Sequence, residues 1–224
     1  MAINIITSFY ISINKQRQKE LNKSLEQNIK NKLISGIHLF LDDDKCLNFL
    51  EKKYKSLIKK KIYIIKIGKQ PLYSDLFEYA NTLKNKMCMI INSDIWLHSV
   101  TDINLLHNIK NKIYALTRHE HNMTCRLINR YMGSHDAFIF MSPINEQIIK
   151  HIKHPQNVWG SENVVLYELN KLKYTIYNPC RQIIIVHEHR SQIRDNCRQR
   201  INRGDIDGDG IYKIRSFSVK PIQL

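Results

Sequence analysis

Asp94 closes the run Met89-Ile-Ile-Asn92-Ser93-Asp94, in which three apolar residues lead straight into a polar tripeptide before Ile95-Trp96-Leu97 resumes. A carboxylate at the end of a hydrophobic strand is a natural ligand for a hard divalent cation, because Mg²⁺ takes one or two protein carboxylates and completes its shell with water and phosphate oxygens. The tripeptide also suits a plain turn, since Asn, Ser and Asp side chains bond nearby backbone. Two further groups of the right chemistry lie far away in sequence. His187 and His189 stand at the end of the last apolar run, in Val186-His-Glu-His-Arg190, and Glu162 opens a helical pattern in Trp159-Gly-Ser-Glu162-Asn163. Each has an ordinary structural account as well: a strand-end histidine is often surface, and Glu near a helix start is favoured by the dipole. Their joint placement at element ends is what points to a site.

The elements that must position these groups alternate. Ile3 to Ile6 reads as a first strand, and Lys15 to Leu33 as a helix, with Leu21, Leu25, Ile29 and Leu33 repeating every four residues. Ile37 to Leu41 is a second strand ending in Asp42-Asp43-Asp44, Lys45 to Lys60 a helix, and Ile62 to Ile67 a third strand. Ser74 is expected to cap a helix through Leu83, and Met87 to Ile91 is the fourth strand. Lys112 to Thr117, Ala137 to Met141 and Gln182 to Val186 complete the strands, and Ser161 is expected to cap a helix to about Leu172. Strand, helix, strand in succession predicts an α/β fold, a Rossmann-like single domain with a central mostly parallel sheet flanked by helices. Ligand sites in such sheets lie outside the carboxyl ends of the strands, where Asn92-Ser93-Asp94 falls.

Composition limits the function classes. The 224 residues carry 35 Lys and Arg against 20 Asp and Glu, a formal charge of +15, which attracts polyanions or phosphorylated small molecules. No helix-turn-helix, finger or aromatic RNA-binding signature appears, so specific nucleic-acid recognition is not expected. The five scattered cysteines form no C-x-x-C pair and suggest neither a disulfide framework nor a thiolate zinc site. With no apolar run long enough to cross a bilayer, a soluble, cytoplasmic chain is expected.

The order of signals resembles a small GT-A glycosyltransferase: a nucleotide-binding half (1–100), a central strand ending in a DxD-like Asn92-Ser93-Asp94, the helix-opening Trp159-Gly-Ser-Glu162-Asn163, and the late Val186-His-Glu-His-Arg-Ser191. The resemblance implies an acceptor half over 101–193 and a basic, turn-rich segment over 194–224. It implies transfer of a sugar from a nucleotide diphosphate, UDP-sugar favoured, to an acceptor hydroxyl on a glycan, protein or small molecule. Asp94 with His187 or His189 would hold Mn²⁺ or Mg²⁺, and Asn92 departs from the usual triplet by lacking its first carboxylate. Glu162 matches the general base of inverting members, with Gly160 leaving room for an acceptor, and Asp136 matches a contact to a sugar hydroxyl or acceptor. Thr7, Ser8, Phe9 and Asp42 would meet base and ribose, Arg17, Tyr73 and Asp75 being weaker donor contacts. Asn92 and Ser93 join the donor site, and Arg190 and Arg194 would close over the diphosphate.

Two other classes remain open on the sequence. A nucleotidyltransferase would share the nucleotide-binding half but wants a glycine-rich phosphate loop after the first strand, where Thr7-Ser8-Phe9-Tyr10 stands. A basic module that coats nucleic acid or another polyanion would use the charge alone. Asp205-Ile-Asp207-Gly-Asp209-Gly210 begins like a calcium loop, but Ser216 occupies the position that needs a bidentate Glu.

Overall fold

The computed structural model describes residues 2–156, 158–191, 193, 200–201, 204–205 and 213–224. Arg194, expected to contact the donor, lies outside the described residues, as do Arg198, Arg203 and the 206–210 part of the calcium-like loop. In chain order the elements are β1 (Ile3–Phe9), α1 (Lys15–Lys30), β2 (Ile34–Leu41), α2 (Asp44–Tyr54), β3 (Ile62–Lys66), α3 (Tyr73–Thr82), β4 (Met87–Ile91) and β5 (Ile95–Val100). They continue with α4 (Asn104–His107), β6 (Lys112–Leu116), β7 (His119–Glu120), α5 (Arg126–Asn129), β8 (Ala137–Met141), α6 (Ser161–Lys171), β9 (Thr175–Tyr177) and β10 (Ile183–His187).

Seven strands form the main sheet in the order β3-β2-β1-β4-β8-β6-β9, and β5-β10-β7 form a second, smaller sheet. Most neighbours in the main sheet run parallel, but β8 is antiparallel to both β4 and β6. The sequence explains the central position of β4. All five of its residues are apolar and buried: Met87, Met89 and Ile91 face one core layer, Cys88 and Ile90 the other. That period-2 division is what a strand covered on both faces requires. Each Ile or Met so buried contributes on the order of 1.5–3 kcal/mol.

Helix starts depart from the sequence expectation in two places. Ser74 lies inside α3; the backbone N–H of Leu72 is held at 2.8 Å by the Asp75 carboxylate instead, so Asp75 is a capping group. Ser161 is the first residue of α6, and the cap position belongs to Gly160 at φ 92°. Gly160 was expected to make room for an acceptor. A Cβ there would stand 2.5 Å from the Ile201 carbonyl oxygen, so what needs the space is the chain's own C-terminal segment.

Helix α1 carries a polar stripe on its buried face, formed by Arg17, Glu20, Ser24 and Asn28 beside Leu21 and Leu25. Asn28 uses both ends of its amide on β5, donating to the Ile95 carbonyl at 3.0 Å and accepting from the Leu97 N–H at 3.0 Å. That clamp holds α1 against the strand that leaves Asp94.

Two buried histidines stay neutral. His38 stacks on Tyr63 at 4.8 Å and bonds the Tyr79 hydroxyl at 2.9 Å; His135 bonds the Tyr131 hydroxyl at 2.8 Å. Burial lowers the pKa of each to about 4. An unfolded histidine titrates near 6.5, so the native chain binds fewer protons between those values and stability falls as pH drops from about 6.5 to about 4. Urea unfolding across that range should show this loss, and His38→Gln should flatten the slope relative to the parent; an unchanged slope would show that His38 is not buried neutral.

Candidate functional site

The Asn92-Ser93-Asp94 turn links β4 to β5, with the Ile95 N–H bonded to the Asn92 carbonyl at 3.1 Å. Asp94 is 7 % exposed. Its Oδ2 receives Arg17 Nη2 at 2.7 Å, His187 Nε2 at 3.1 Å and faces His189 Nδ1 at 3.5 Å. Burial works against the charge of this carboxylate, but His187 and Arg17 overcome it and hold its pKa well below the usual range. The backbone secures the same arrangement, since the Glu188 N–H donates to the Asp94 carbonyl at 2.8 Å.

The partners come from two segments, the start of α1 and the end of β10. Arg17 sits in the first turn of α1, where the Asn14 side chain caps the helix; its Nη1 lies 3.4 Å from Glu20 and 3.4 Å from the Glu188 carbonyl. His187 ends β10 and places its second nitrogen 3.3 Å from Glu120 of β7. Burial disfavours an imidazolium, yet the carboxylates of Asp94 and Glu120 raise its pKa to about 9. Glu120, bonded to His187, is lowered to about 2. His189 behaves oppositely: burial and the nearby Arg17 lower it to about 4. Its Nε2–H donates a hydrogen bond to the Ile193 carbonyl at 2.7 Å, so in the neutral ring Nδ1 carries the lone pair.

The sequence left open which histidine serves Asp94; the structure brings both there, and adds Arg17, expected only as a weak donor contact. Asp94, His187 and His189 each offer one ligand atom within 4.8 Å of the others. The donor set suits a divalent cation: a carboxylate oxygen and the His189 lone pair face each other across 3.5 Å, an arrangement a cation between them would satisfy. The Asn92 Oδ1 is buried with no hydrogen-bond partner among the described residues. His187 must release a proton before it can ligate.

From His187 the charges continue through Glu120 to Arg118, which bonds Asp136 at 2.8 Å. Asp136 also accepts from Ser134 at 2.7 Å. Glu162, at the start of α6, is raised to about 8 by burial and by Asp136. Asp136 and Glu162 are therefore electrostatic neighbours, joined by the Arg118 bridge to the Asp94 cluster.

Other expected residues occupy more ordinary places. Thr7, Ser8 and Phe9 end β1, but Phe9 is buried and stacks on Phe49 at 5.9 Å. Asp42 is exposed at the end of β2. Tyr73 packs edge-on against Phe138 within the core. Arg190 extends outward beside Glu188 at 3.8 Å. Sequence reasoning missed Glu20, which accepts from the Ser191 N–H and hydroxyl at 2.7 and 2.9 Å, and Glu188, buried and paired with Lys23 at 2.6 Å. It also missed Arg118 and Glu120. A signal for Glu20 was present: it shares the buried face of α1 with Leu21 and Leu25, where a charge needs a partner.

No protein-family model and no curated protein sequence matches the chain. Solved structures do match. The mannosyltransferase PcManGT from Pyrobaculum calidifontis, in complex with GDP-Man and Mn²⁺, superposes with a TM-score of 0.54 at 8% identity, over 83% of this chain and 56% of its own. GalNAc-T7, with UDP, GalNAc and Mn²⁺, gives 0.54 at 10% identity, over 84% of this chain and 44% of its own. The fold is GT-A. The chain thus spans about half the length of these GT-A structures. A third match, the 4-diphosphocytidyl-2C-methyl-D-erythritol synthase from Anaerococcus prevotii DSM 20548, gives 0.51 at 13% identity over 86% of this chain and 91% of its own.

Arg17 and a divalent ion would compete for one carboxylate. Arg17→Met should therefore tighten Mn²⁺ binding at least about tenfold by calorimetry, while lowering the melting temperature because the buried Asp94 loses its closest cation. Unchanged Mn²⁺ affinity in a folded variant would show that Arg17 does not occupy the cation position.

Proposed function

We propose that this chain is a glycosyltransferase that moves a sugar from a nucleotide-diphosphate donor, UDP-sugar favoured, to an acceptor hydroxyl. The observation that carries the reading is the convergence of Asp94, His187 and His189 at the carboxyl end of β4, on a GT-A fold. Two imidazoles beside one carboxylate favour a transition ion such as Mn²⁺ over Mg²⁺, which prefers oxygen ligands. Bound there, the ion would neutralise charge developing on the leaving diphosphate.

The chain's own residues account for the rest. Arg17, already desolvated beside Asp94, would meet an incoming diphosphate with a cation that needs no reorganisation, while His187, having released its proton, would help hold the ion. Asn92 and Ser93 would line the donor beside Asp94, and Thr7, Ser8 and Asp42 would hold base and ribose at the ends of β1 and β2. Arg190, now beside Glu188 at 3.8 Å, would swing onto phosphate oxygens. Glu162 acts as general base, taking the proton from the acceptor hydroxyl; its raised pKa makes it a stronger base once ionised. Asp136, held by Arg118, positions that proton affinity through its charge.

The synthase match keeps a nucleotidyltransferase as the second reading. Against it stands the connection from β1 to α1, Tyr10-Ile-Ser-Ile-Asn14, which lacks the glycines that let backbone N–H groups cradle a triphosphate. The two differ in product: nucleoside diphosphate for glycosyl transfer, pyrophosphate for nucleotidyl transfer.

A panel of UDP- and GDP-sugars with Mn²⁺, followed by nucleoside diphosphate release, tests the reading. Glu162→Gln should lower kcat by about 10²–10⁴-fold while donor affinity, measured by calorimetry, stays within about threefold. The parent's kcat/KM should rise with pH and level off above about 8, where Glu162 is ionised. Absence of binding to every donor, or full turnover in Glu162→Gln, would overturn the assignment.

A further inference from the structure

The sheet has a second edge, opposite the site, with its own chemistry. Because β1, β2, β3, β4, β6 and β9 are parallel and β8 is antiparallel, the starts of the former and the end of β8 lie together, Ile3 beside Ile34 and Met87, and Met87 beside Met141. The connections arriving at this edge carry one sequence motif repeatedly. Lys30-Asn31-Lys32 precedes β2, Lys84-Asn85-Lys86 precedes β4 and Lys110-Asn111-Lys112 leads into β6, while Lys59-Lys60-Lys61 precedes β3 and Lys171-Leu172-Lys173 precedes β9. These five tripeptides hold eleven lysines and no arginine or carboxylate.

Nine of the eleven are exposed, Lys61 and Lys112 being half-buried. The connections are short and tight: Lys59, Asn85, Asn111 and Lys173 adopt left-handed φ of 65, 60, 62 and 63°. They are also tied to one another, Lys61 donating to the Asn31 carbonyl at 3.1 Å and the Asn145 N–H donating to the Tyr174 hydroxyl at 2.9 Å. No long loop interrupts the edge, which spans seven strands, about 30 Å at the usual strand spacing. Two shallow depressions of about 470 and 410 Å³ meet at Asn85 and Met141 along it. Glu168 pairs with Lys171 at 3.5 Å, and Glu146 stands at the margin beyond Asn145.

Helix C-termini favour a nearby cation, and several helices end here. That effect accounts for one basic residue per helix end and fades within the last turn. Two or three per connection, on each of the five connections that enter a strand here, exceed it. We propose that this lysine edge docks the protein on an anionic lipid surface. The breadth and flatness suit a planar partner. The exclusive use of lysine, a hydrated point charge without the planar fork that reads carboxylates, phosphates and bases bidentately, suits diffuse attraction to many headgroups. Docked this way, the Asp94 cluster at the opposite edge faces away from the bilayer. The inference does not depend on the transferase reading, since it concerns binding alone.

Vesicle sedimentation tests it with phosphatidylcholine alone and with about 30 mol % phosphatidylserine. The full chain should pellet only with the anionic vesicles and should release in about 0.5 M NaCl. Replacing Lys59, Lys60, Lys84 and Lys86 by Gln should weaken partitioning at least about 30-fold, with circular dichroism and melting unchanged. Replacing Lys19, Lys45, Lys213 and Lys220, the same charge removed elsewhere, should change it less than about threefold. Equal loss in both variants would reduce the effect to net charge and overturn the docking edge. Binding to single-stranded or duplex DNA tighter than to the vesicles, lost in the first variant, would assign the edge to nucleic acid instead. No binding to anionic vesicles would end the proposal.

Discussion

A buried carboxylate has to be neutralised by something, and at Asp94 that requirement organises half the molecule. The charges that meet it lie 77 residues upstream, at Arg17, and 93 residues downstream, at His187. Holding them there requires α1 to lie along β5, which Asn28 enforces, and requires β10 to pair with β5 in the small sheet, which carries His187 and His189 to the same point. Losing one member of a buried pair typically costs about 3–5 kcal/mol, because the other charge stays uncompensated. The cluster therefore fastens the small sheet to the main one as well as building a site. The two duties conflict. Any ligand that draws Asp94 away from Arg17 must supply equal charge in return, as a divalent cation would.

Parallel strands make the two edges of the sheet unequal, and this chain exploits the inequality in residue type as well as position. Arg17, Arg118 and Arg190 lie with the histidines and carboxylates around the carboxyl end of β4. The opposite edge carries lysine and asparagine. Arginine keeps its charge when buried and bonds carboxylates at fixed angles, which suits a desolvated network of ion pairs. Lysine keeps its hydration and suits an open surface. Part of the formal charge of +15 is thus sorted by place: Arg17 and Arg118 are paired with buried carboxylates near the end of β4, and nine lysines of the opposite edge are exposed.

Local pattern was enough to read the α/β alternation, the first helix, the burial of β4 and the turn that presents Asp94. It failed where structure depends on distant pairing. Ile95–Val100 is a strand because β10 lies against it and Asn28 clamps it, though its own His98 and Ser99 spoil any clean alternation. β8 reads as a strand, but nothing local in Ala137–Met141 says that it runs antiparallel between β4 and β6. The serines chosen as helix caps were outcompeted by groups whose advantage is geometric: the Asp75 carboxylate reaching back to Leu72, and Gly160 taking a positive φ beside the Ile201 carbonyl. Arg17 was seen as one basic residue at a helix start. Its partner choice became visible only once α1 was placed against the end of β4.

The same electrostatics account for Asn92, the departure from the usual acidic triplet. Around Asp94 the network already contains Glu20, Glu120 and Glu188, and these four carboxylates are met by Arg17, His187, Lys23 and Arg118. A carboxylate at position 92 would add a fourth neighbouring anion in a desolvated turn without adding a cation, and the mutual repulsion would raise the pKa of one of the pair. An amide avoids that cost and still presents an oxygen. That oxygen is buried and without a hydrogen-bond partner among the described residues, an arrangement that costs about 1–3 kcal/mol when left unmet. The missing charge at Asn92 is thus the counterpart of Arg17 at Asp94. With a protein cation already in the site, one carboxylate and one neutral oxygen are what the local field can support.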